Sequence, residues 1–437
     1  MSQRFEAPKG TFDQLPPRAA VRAEVERALL EQARLAGYQP IETPIFEETA
    51  VFARGVGEAT DVVQKEMYSF TDKGGRSLTL RPELTAGIVR ALIEHGRLTT
   101  GLTKVVCSGP QFRYERPQAG RQRQFHQVDI EAMGSADPSI DVDVVLVGHE
   151  AFRRLGVPVT LLLTSLGDPA CRPAYRERLL GFLRGLGERL PAAARTRAEQ
   201  NPLRVLDMKD PLVEELTADA PLMRDFLCAP CKAHDETVKE LLAGAGIEWL
   251  EAPRLVRGLD YYVRTTFEWQ APVLGAAQNA VGGGGRYDGL SELLGGPQAP
   301  GIGWAVGLDR TVLALERAGR LPADPWRLDA LVLPLVAAAT GVAQRLVRDL
   351  RRAGLVADLP YSERTLNGHM KAAAKAGART VVIVGEQELA VGQAAVRDMT
   401  ARSQTAVPLQ AAAAEVARIA AREGGRPGRL PVPGEGG

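Results

Sequence analysis

The sequence has little of what marks a secreted or membrane protein. Four cysteines in 437 residues are too few for a framework of disulfides. No uninterrupted apolar run reaches the length that spans a bilayer, and Met1 to Gly10 lacks the apolar segment of a signal peptide. We therefore expect a reduced, cytoplasmic protein with no membrane partner.

The sequence also lacks an excess of charge of either sign and lacks the common phosphate-binding loops. Its formal net charge is +1, so any nucleic acid must be held by local basic patches. No Gly-Lys dipeptide occurs, which excludes a Walker A loop, and the glycines of Gly301–Arg310 miss the spacing of the dinucleotide fingerprint. A bound nucleotide must therefore be held in another way.

What is present indicates a globular protein of two or three domains, since 45% of the residues are hydrophobic and 24% are charged. We predict a larger domain over residues 1–325, in which the helical periodicity of about 168–253 marks an inserted helical domain. Alternating strands and helices predict an α/β domain over 329–422 with a mostly parallel sheet. The Gly- and Pro-rich segment 423–437 is predicted to be a disordered tail.

The most informative stretch is a polar hairpin from Arg113 to Glu131. Side chains two positions apart share one face of a strand. We expect such faces for Arg113 with Glu115, and for Gln127 with Asp129 and Glu131. Taken alone, the hairpin fits either a solvated surface or a face that a ligand covers, because buried polar groups need partners.

Three further stretches carry polar residues at points suited to a binding site. They are Glu83 and Thr85 at a strand-to-helix turn, the segment Arg257–Tyr262, and Arg310 at a helix start. Glu83 is equally compatible with a plain helix start, where the helix dipole favours an acid. The same dipole disfavours Arg310, which indicates an anionic partner, either a ligand or a nearby carboxylate.

Together these stretches suggest the chemistry of the site. Carboxylates and amide oxygens suit an amine or an imidazole, whereas arginines suit phosphates. A site with both sets would hold an amino acid beside a nucleoside triphosphate. No Cys, Ser–His pair or metal cluster is placed as a nucleophile, so we expect catalysis by positioning and charge stabilisation.

Two other motifs allow more than one interpretation. Gly282–Gly285 is either a flexible turn or a place where another backbone or a ligand approaches closely. Cys228, Cys231 and His234 have the spacing of three zinc ligands. A closed structural site needs four ligands, and Cys171 is remote in the sequence. We therefore favour thiols that pack between helices and expect no structural zinc.

Several of these motifs resemble those of the histidyl-tRNA synthetases, which are class II aminoacyl-tRNA synthetases. The resemblance extends over about residues 5–420. Arg257-Gly-Leu-Asp-Tyr-Tyr262 and Gly282-Gly-Gly-Gly-Arg-Tyr-Asp288 match the two histidine-specific signatures. The three class II motifs also have counterparts. Tyr38–Phe46 resembles motif 1, which would build a dimer interface. Arg113–Glu131 resembles motif 2, and Gly301–Arg310 resembles motif 3.

The resemblance implies an α+β fold, in which helices flank an antiparallel catalytic sheet, followed by an anticodon-binding domain. It implies a homodimeric ligase that activates L-histidine with ATP to histidyl-adenylate and transfers it to the 3′ end of tRNA(His). Mg²⁺ would accompany the ATP phosphates. The alternative is a catalytically inactive, synthetase-like regulatory subunit of histidine biosynthesis.

The resemblance also implies roles for individual residues. Arg113 and Arg257 would be catalytic, on opposite sides of the α-phosphate. Histidine would be bound by Glu83, Thr85, Arg113, Gln127, Glu131, Arg257, Tyr261 and Tyr262. ATP would be bound by Arg113, Glu115, Arg121 and Arg310. The tRNA acceptor end would meet the loop residues Gln118, Arg121 and Arg123.

Overall fold

The chain forms two compact units, which divide between Pro322 and Ala323. The computed structural model describes residues 5–58, 60–99, 101–118, 120–206, 208, 210–275, 279–322, 326–361 and 365–422. The tail predicted over 423–437 lies outside the described residues. Within those ranges, none of the helices combines the length and the apolar character needed to cross a membrane.

The N-terminal unit is built on a large sheet. A smaller sheet consists of β2 (Phe46–Glu48), β3 (Tyr68–Thr71) and β4 (Ser77–Leu80). The strands of the large sheet are β1 (Gln39–Pro40), β5 (Thr103–Phe112), β6 (Gln124–Met133), β7 (Thr160–Ser165), β8 (Leu250–Glu251), β9 (Val263–Gln270), β10 (Ala280–Arg286) and β11 (Gly301–Gly307). Among the described residues, eight strands pair in the order β1-β5-β6-β11-β10-β9-β7-β8. The six central strands run antiparallel, whereas β1 and β8 pair with their neighbours in parallel.

Helices cover this sheet and form the inserted segment. They are α1 (Arg18–Leu35), α2 (Thr49–Val56), α3 (Thr85–Glu94), α4 (Pro138–Leu155), α5 (Arg172–Leu186), α6 (Ala192–Gln200), α7 (Pro211–Leu216), α8 (Ala229–Gly244), α9 (Leu290–Leu293) and α10 (Leu308–Ala318). The buried core joins α1, α4 and α10 to the sheet through side chains such as Leu29, Phe152 and Trp304. The start of α4 is fixed by Asp137, whose carboxylate accepts a hydrogen bond of 2.8 Å from Ser139 N.

The tetraglycine segment is part of the sheet. Gly282 to Gly285 lie in β10, paired on both sides with β9 and β11. A Cβ at Gly284 would overlap the carbonyl oxygen of Gly303 on β11. Of the two interpretations from the sequence, close approach is therefore right and a flexible turn is wrong, because only glycine leaves room for the neighbouring strand.

The central hairpin differs from its prediction at one end. Strand β5 ends at Phe112, so Arg113 and Glu115 lie in the connecting loop and do not share a strand face. The backbone explains this, since Tyr114 N donates a hydrogen bond of 2.7 Å to Glu66 O and so leaves the ladder with β6. On the return strand, the prediction of a shared face for Gln127, Asp129 and Glu131 holds, because β6 spans Gln124–Met133.

The inserted segment is helical, as its periodicity predicts. Helices α5 to α8 surround their own buried cluster, which includes Tyr175, Leu179, Val213 and Cys231. Leu179 is fully buried and Tyr175 is 2% exposed. Burying a side chain of this size contributes about 1.5–3 kcal/mol relative to leaving it in water. This second core makes the insertion a layer of packed helices beside the sheet.

The C-terminal unit is an α/β fold with a mixed sheet. Its elements are β12 (Ala330–Pro334), α11 (Thr340–Arg352), β13 (Ala357–Asp358), α12 (Leu366–Lys375), β14 (Thr380–Val384), α13 (Glu386–Ala390), β15 (Gln393–Asp398), β16 (Gln404–Pro408) and α14 (Ala412–Arg422). The order is β13-β12-β14-β15-β16, in which β12 pairs in parallel with β13 and β14, whereas β15 pairs antiparallel with both β14 and β16. The prediction of a mostly parallel sheet is therefore wrong for its second half, because a short turn joining β15 to β16 permits only antiparallel pairing.

Candidate active site

A cleft with a cavity of about 720 Å³ lies over one face of the large sheet. Strands β6, β10 and β11 supply part of its lining, and the loops around Arg113–Gln122 and Ala252–Tyr262 supply more. The cavity brings together these predicted site residues: Glu83, Thr85, Arg113, Glu115, Arg121, Gln127, Glu131, Arg257, Tyr261, Tyr262 and Arg310. Carboxylates and tyrosines therefore share one cavity with four of the predicted arginines.

Glu131 is the centre of the acidic end. Thr85 Oγ1 donates a hydrogen bond of 2.6 Å to Glu131 Oε1, and Tyr287 Oη donates one to Glu131 Oε2. Glu131 is 1% exposed, and burial raises the pKa of its carboxyl group to about 8. A Cβ at Gly303 on β11 would overlap Glu131 Oε2, so this glycine provides the space that the carboxyl group occupies.

Glu83 serves both of the interpretations drawn from the sequence. Its carboxylate accepts hydrogen bonds from Thr85 N at 2.8 Å and Ala86 N at 2.9 Å, which caps α3. It also lines the cavity and is 3% exposed. Burial raises its pKa, while the backbone hydrogen bonds act in the opposite direction. The helix start thus holds a carboxyl group in a fixed position at the wall of the cavity.

Tyr261 and Tyr262 form an aromatic wall beside Glu131. Their ring centroids are 4.6 Å apart, and Tyr261 lies 5.7 Å from the ring of Tyr287. Burial raises the pKa of both phenols, so they are neutral hydrogen-bonding groups. Arg172 on α5 donates a hydrogen bond to the carbonyl oxygen of Tyr262, which fixes this loop to the insertion.

Arg257 enters the cavity beside the glycine strand. Its Nη1 lies 2.8 Å from Glu268 Oε2. A Cβ at Gly283 would lie 2.8 Å from the same nitrogen, so glycine allows the guanidinium to rest against β10. Arg257 Nε is buried and lacks a hydrogen-bond partner among the described residues. A ligand that offers an acceptor would satisfy this donor.

Other buried polar atoms of the cavity are also unsatisfied. Within the described part of the chain, Gln127 Oε1 and Asp129 Oδ1 have no hydrogen-bond partner. Native proteins pair most buried polar atoms, so three unsatisfied ones around one cavity indicate a polar ligand. Asp129 is 1% exposed, and burial, with help from Glu131 and Glu83, raises its pKa well above the usual range.

The cationic end of the cavity is held by backbone carbonyls. Arg310 Nε donates to Gly120 O at 2.9 Å and its Nη1 donates to Ala280 O at 2.8 Å. No carboxylate of the described residues forms an ion pair with Arg310, so the alternative of a carboxylate partner finds no support there. Arg113 Nε similarly donates to Pro82 O at 2.9 Å. Carbonyls fix both guanidinium groups without neutralising them.

Comparisons with known proteins decide the family. Residues 10–169 match the family model described as histidyl-tRNA synthetase, and residues 329–419 match the anticodon binding domain. A histidine–tRNA ligase from Nocardia farcinica is 53% identical over 407 residues, covering 93% of this chain and 96% of that protein. The chain belongs to the histidyl-tRNA synthetase family.

Solved structures agree with this assignment. The apo histidyl-tRNA synthetase of S. aureus has a TM-score of 0.78 and 35% identity, and the match covers 94% of this chain and all of that one. A chain titled ATP phosphoribosyltransferase regulatory subunit/histidyl-tRNA synthetase, from Bacillus halodurans, has a TM-score of 0.64 over 88% of this chain and 99% of that one. At 20% identity the second match shows the fold alone. The alternative of a regulatory subunit is therefore the less supported one.

Family membership confirms the predicted class II fold, with its antiparallel sheet and anticodon-binding domain. Histidyl-tRNA synthetases are aminoacyl-tRNA synthetases, and class II membership implies ATP as a substrate. The matched domains also support tRNA and histidine as partners. The roles of single residues in this synthetase remain predictions, to which the geometry of the cavity contributes.

Two of the loop residues predicted to meet tRNA lie outside the cavity. Gln118 pairs with Arg121 through backbone hydrogen bonds across the loop. Arg123 lies over the ring of Tyr114, 3.8 Å from its centroid, and donates to Lys9 O at 3.4 Å. Arg121 is exposed, as is Gln118, and its Nη1 lies 3.2 Å from Glu115 Oε2. The loop of this synthetase is thus braced by the N-terminal segment.

Sequence reasoning missed several polar residues that line the cavity, three of which contribute to the site described above. Asp129, Glu268 and Tyr287 all line it. The sequence pattern could have indicated two of them. Asp129 shares the strand face of Gln127 and Glu131, and Tyr287 belongs to the histidine-specific signature Gly282–Asp288. Glu268 gave no such signal, since a lone acid on an alternating strand indicates a solvated face as readily as a site.

The cysteines of the motif pack among the helices of the insertion, as favoured from the sequence, but Cys171 joins them. His234 Nε2 lies 2.5 Å from Asp141 Oδ2 in a buried network, so Cys228, Cys231 and His234 are not a ligand set. Cys171 is not remote in the fold, because Cys228 N donates a hydrogen bond of 3.1 Å to Cys171 Sγ. The sequence missed this because the packing of α5 against the start of α8 is a tertiary contact.

Proposed function

We propose that this protein is a histidine–tRNA ligase. It activates L-histidine with ATP, forms histidyl-adenylate and pyrophosphate, and transfers the histidyl group to the 3′ end of tRNA(His). The observation that carries the proposal is a single cavity that joins a buried Glu131–tyrosine end to an arginine end. An amino acid fits the first end and a triphosphate fits the second, since each chemical group finds its complement.

Histidine binds at the acidic end. Glu131, oriented by Thr85 and Tyr287, accepts a hydrogen bond from an imidazole N–H. The neutral phenols of Tyr261 and Tyr262 enclose the ring and exclude water. The hydrogen bond from Thr85 and the one from Tyr287 leave the Glu131 oxygens in a fixed orientation, which favours one ligand geometry over others.

The α-amino group of histidine lies among the remaining acceptors. Glu83 and Gln127 line this part of the cavity, together with the Thr85 hydroxyl. Gln127 Oε1 is buried and unsatisfied among the described residues, so an ammonium group supplies the donor that it lacks. Binding a cation here also stabilises the ionised form of the buried carboxyl groups.

Adenylate formation follows from the position of the arginines. A carboxylate oxygen of histidine attacks the α-phosphorus, and the bond from this phosphorus to the bridging oxygen of pyrophosphate breaks. Negative charge grows on the non-bridging oxygens of the α-phosphate. Arg113 and Arg257 stabilise this charge from two sides, and their orientation is set before the reaction by Pro82 O and Glu268.

The β- and γ-phosphates lie toward Arg310, with Arg121 at the rim. ATP enters as its magnesium complex, and magnesium prefers carboxylate and phosphate oxygens. Glu115 and Glu268 both line the cavity, and their charges act on Arg310, so the donor set at this end suits the complex. Departing pyrophosphate keeps these contacts, so its negative charge is compensated as the bond breaks.

Transfer requires the 3′ end of tRNA to reach the same cavity. A ribose hydroxyl of the terminal nucleotide attacks the carbonyl carbon of histidyl-adenylate, and AMP leaves with the electrons of the broken bond. Gln118, Arg121 and Arg123 belong to the loop at the cavity rim, where arginines suit the phosphates of the acceptor end. Residues 329–422 contact the anticodon, in line with the family model matched there.

The proposal includes a homodimer that works in the cytoplasm. The small sheet of β2, β4 and β3 presents Phe46 and Phe70, which are 50% and 45% exposed and lie 6.3 Å apart. Phe46 ends the segment Tyr38–Phe46, which resembles the dimer motif of class II. Light scattering on the full chain is expected to give twice the monomer mass, and Phe46→Glu is expected to give the monomer.

The domain division belongs to the same proposal. A catalytic domain over 1–325, with its insertion at about 168–253, precedes the anticodon-binding domain over 329–422. Support comes from the break between the two compact units at Pro322 and Ala323 and from the family model that covers 329–419.

Aminoacylation tests the function directly. Purified chain, ATP, magnesium and tRNA(His) are incubated in turn with each of the twenty amino acids. Only histidine is expected to be attached to the tRNA. A folded preparation that charges no tRNA, and that copurifies with a phosphoribosyltransferase, would contradict the proposal and favour a regulatory subunit.

A further inference from the structure

Three cysteines and an aspartate meet at the base of the helical insertion, outside the active-site cavity. The ligand atoms of Asp168, Cys171, Cys228 and Cys231 all lie within 4.8 Å of one another. Cys171 and Cys231 are buried, and the other two residues are partly buried. Two residues separate Asp168 from Cys171, and two separate Cys228 from Cys231. This is the spacing of ligand pairs in structural zinc sites.

The backbone holds this cluster in a defined geometry. Asp168 Oδ1 accepts hydrogen bonds from Ala170 N at 3.0 Å and Cys171 N at 3.2 Å, just before α5. Cys228 precedes α8, and its N–H donates to Cys171 Sγ at 3.1 Å. An amide that points at a sulfur stabilises the thiolate form, which is the form that binds metals.

We propose that Asp168, Cys171, Cys228 and Cys231 bind one Zn²⁺ ion in a tetrahedral structural site. Thiolates and one carboxylate are suitable ligands for this ion, and four protein ligands close its coordination shell. Zn–S bonds of about 2.3 Å place the corners of a tetrahedron about 3.8 Å apart. The ligand atoms of the four residues lie at most 4.8 Å apart, which exceeds the tetrahedral distance by about 1 Å. Small side-chain rotations remove this difference.

The charge around the cluster suits a bound ion. Zn²⁺ with three thiolates and one carboxylate carries a net charge of −2. Arg264 Nη2 lies 3.6 Å from Asp168 Oδ2, and its guanidinium also neighbours Cys231. The Arg264 backbone has φ of 48°, a left-handed conformation that is uncommon for a residue with a side chain. Its N–H donates to Gly167 O at 2.7 Å, which holds the arginine beside the cluster.

The position of the site suggests what the ion does. Cys171 and Cys228 are 57 positions apart, so a shared metal closes most of the insertion into one loop at its root. Arg172, adjacent to Cys171, donates to the carbonyl of Tyr262 in the active-site wall. Zinc thereby fixes the start of α5 relative to the loop that contacts histidine. This inference replaces the expectation, drawn from the sequence, of no structural zinc.

The test uses the reduced full chain. Native mass spectrometry after addition of Zn²⁺, and optical absorption after addition of Co²⁺, report the binding directly. We expect one ion per chain and the strong thiolate-to-cobalt absorption of a tetrahedral site. Cys171→Ser and Cys231→Ser are expected to lose this absorption, and Cys107→Ala, which removes the buried thiol outside the cluster, is expected to keep it.

Asp168 offers two informative variants that do not depend on removing a thiol. Asp168→Cys is expected to retain one ion and to increase the thiolate-to-cobalt absorption, because a fourth sulfur joins the site. Asp168→Asn is expected to weaken binding. The proposal is overturned if the folded wild-type chain binds neither metal, if the mass shows a disulfide under reducing conditions, or if Cys171→Ser binds cobalt as Cys107→Ala does.

Discussion

Thr85 Oγ1 and Glu131 Oε1 are joined by a hydrogen bond of 2.6 Å, although 46 positions separate the two residues. Thr85 begins helix α3, and Glu131 lies in the second half of β6, so the bond connects a helix start to the sheet. With Tyr287 on the other carboxyl oxygen, it fixes the group in a buried position. A carboxyl group oriented by the protein's own hydrogen bonds limits the reorganisation that histidine has to induce.

Replacing Glu131 tests its role in recognising the substrate. Glu131→Gln keeps the shape of the side chain but changes an acceptor oxygen into a donor facing the imidazole. We expect kcat/KM for histidine to fall about 5- to 150-fold, since an unmatched buried polar contact costs about 1–3 kcal/mol. The ATP dissociation constant is expected to change little. Steady-state pyrophosphate exchange and equilibrium ATP binding measure the two effects.

The matched control for this change is Glu94→Gln, which alters an exposed acid near the end of α3. It is expected to leave kcat/KM for histidine unchanged. Equal losses in the two variants would show that the effect of Glu131→Gln is general and not specific to the histidine pocket.

Glycine at position 303 is required by the same carboxyl group. Gly303→Ala introduces a Cβ that overlaps Glu131 Oε2 and the carbonyl oxygen of Ile130, neither of which is free to move far. We expect a loss of about 1–3 kcal/mol in stability from overpacking and a raised KM for histidine. Thermal unfolding and exchange kinetics check both effects.

Gly307→Ala is the control on the same strand. A Cβ there meets no atom closer than Val281 O at 3.8 Å. Normal stability and histidine KM are expected for this variant. A well-folded Gly303→Ala enzyme with an unchanged KM would contradict the close approach of β11 to Glu131.

Arg257 is expected to act in the chemical step more than in ATP binding. Arg257→Lys keeps the positive charge but removes the planar fork, which pairs with Glu268 and which we propose also contacts the α-phosphate. We expect adenylate formation to slow by about 100- to 1,000-fold, as for loss of one donor to a developing charge. Rapid-quench measurement of a single turnover separates this step from ATP affinity. An unchanged rate would remove Arg257 from the catalytic group.

Arg310 is expected to affect ATP and not histidine. Arg310→Gln removes a guanidinium that backbone carbonyls orient without neutralising it. The KM for ATP should rise by about 10-fold or more, in line with loss of a charge-assisted hydrogen bond of about 1.5–3 kcal/mol. Arg317→Gln, an exposed position on the same helix, is the control. Similar ATP kinetics in the two variants would contradict a phosphate contact.

The pKa of Glu131 predicts how stability depends on pH. Burial raises it to about 8 in the folded protein, well above the value of about 4.3 in an unfolded chain. Between these values the folded state binds more protons, so stability falls as the pH rises from about 4.3 to about 8. The slope from this one group is at most about 1.4 kcal/mol per pH unit.

Comparing wild type with Glu131→Gln isolates this contribution from those of Asp129 and Glu83, whose pKa values are also raised. Thermal unfolding midpoints measured from pH 5 to 8 are expected to fall more steeply in the wild type. Parallel curves for the two proteins would show that Glu131 is ionised across this range.

Much of the candidate site could be predicted because local sequence patterns determine where its residues lie. Alternation along β6 placed Gln127 and Glu131 on one face, and the strand-to-helix turn placed Glu83 and Thr85 beside each other. Such features depend on the period of a strand and on the geometry of a helix start, which are local properties of the sequence.

Contacts between distant segments could not be predicted in this way. Tyr114 leaves the sheet because its N–H pairs with Glu66, which no pattern in the hairpin indicates. Cys171 meets Cys228 because helices α5 and α8 of the insertion begin side by side. The antiparallel pair of β15 and β16 was hidden by the alternation of strands and helices before it. In the first two cases tertiary contacts, and not local propensity, decided the outcome, whereas in the third a short turn did.

The most direct measurement of the central claim is ATP–pyrophosphate exchange with each of the twenty amino acids in turn. A pocket built around Glu131 and the arginines predicts exchange with histidine alone, and its loss in Glu131→Gln despite retained ATP binding. A folded, ATP-binding chain that shows no exchange with histidine, or equal exchange with another amino acid, would contradict the account.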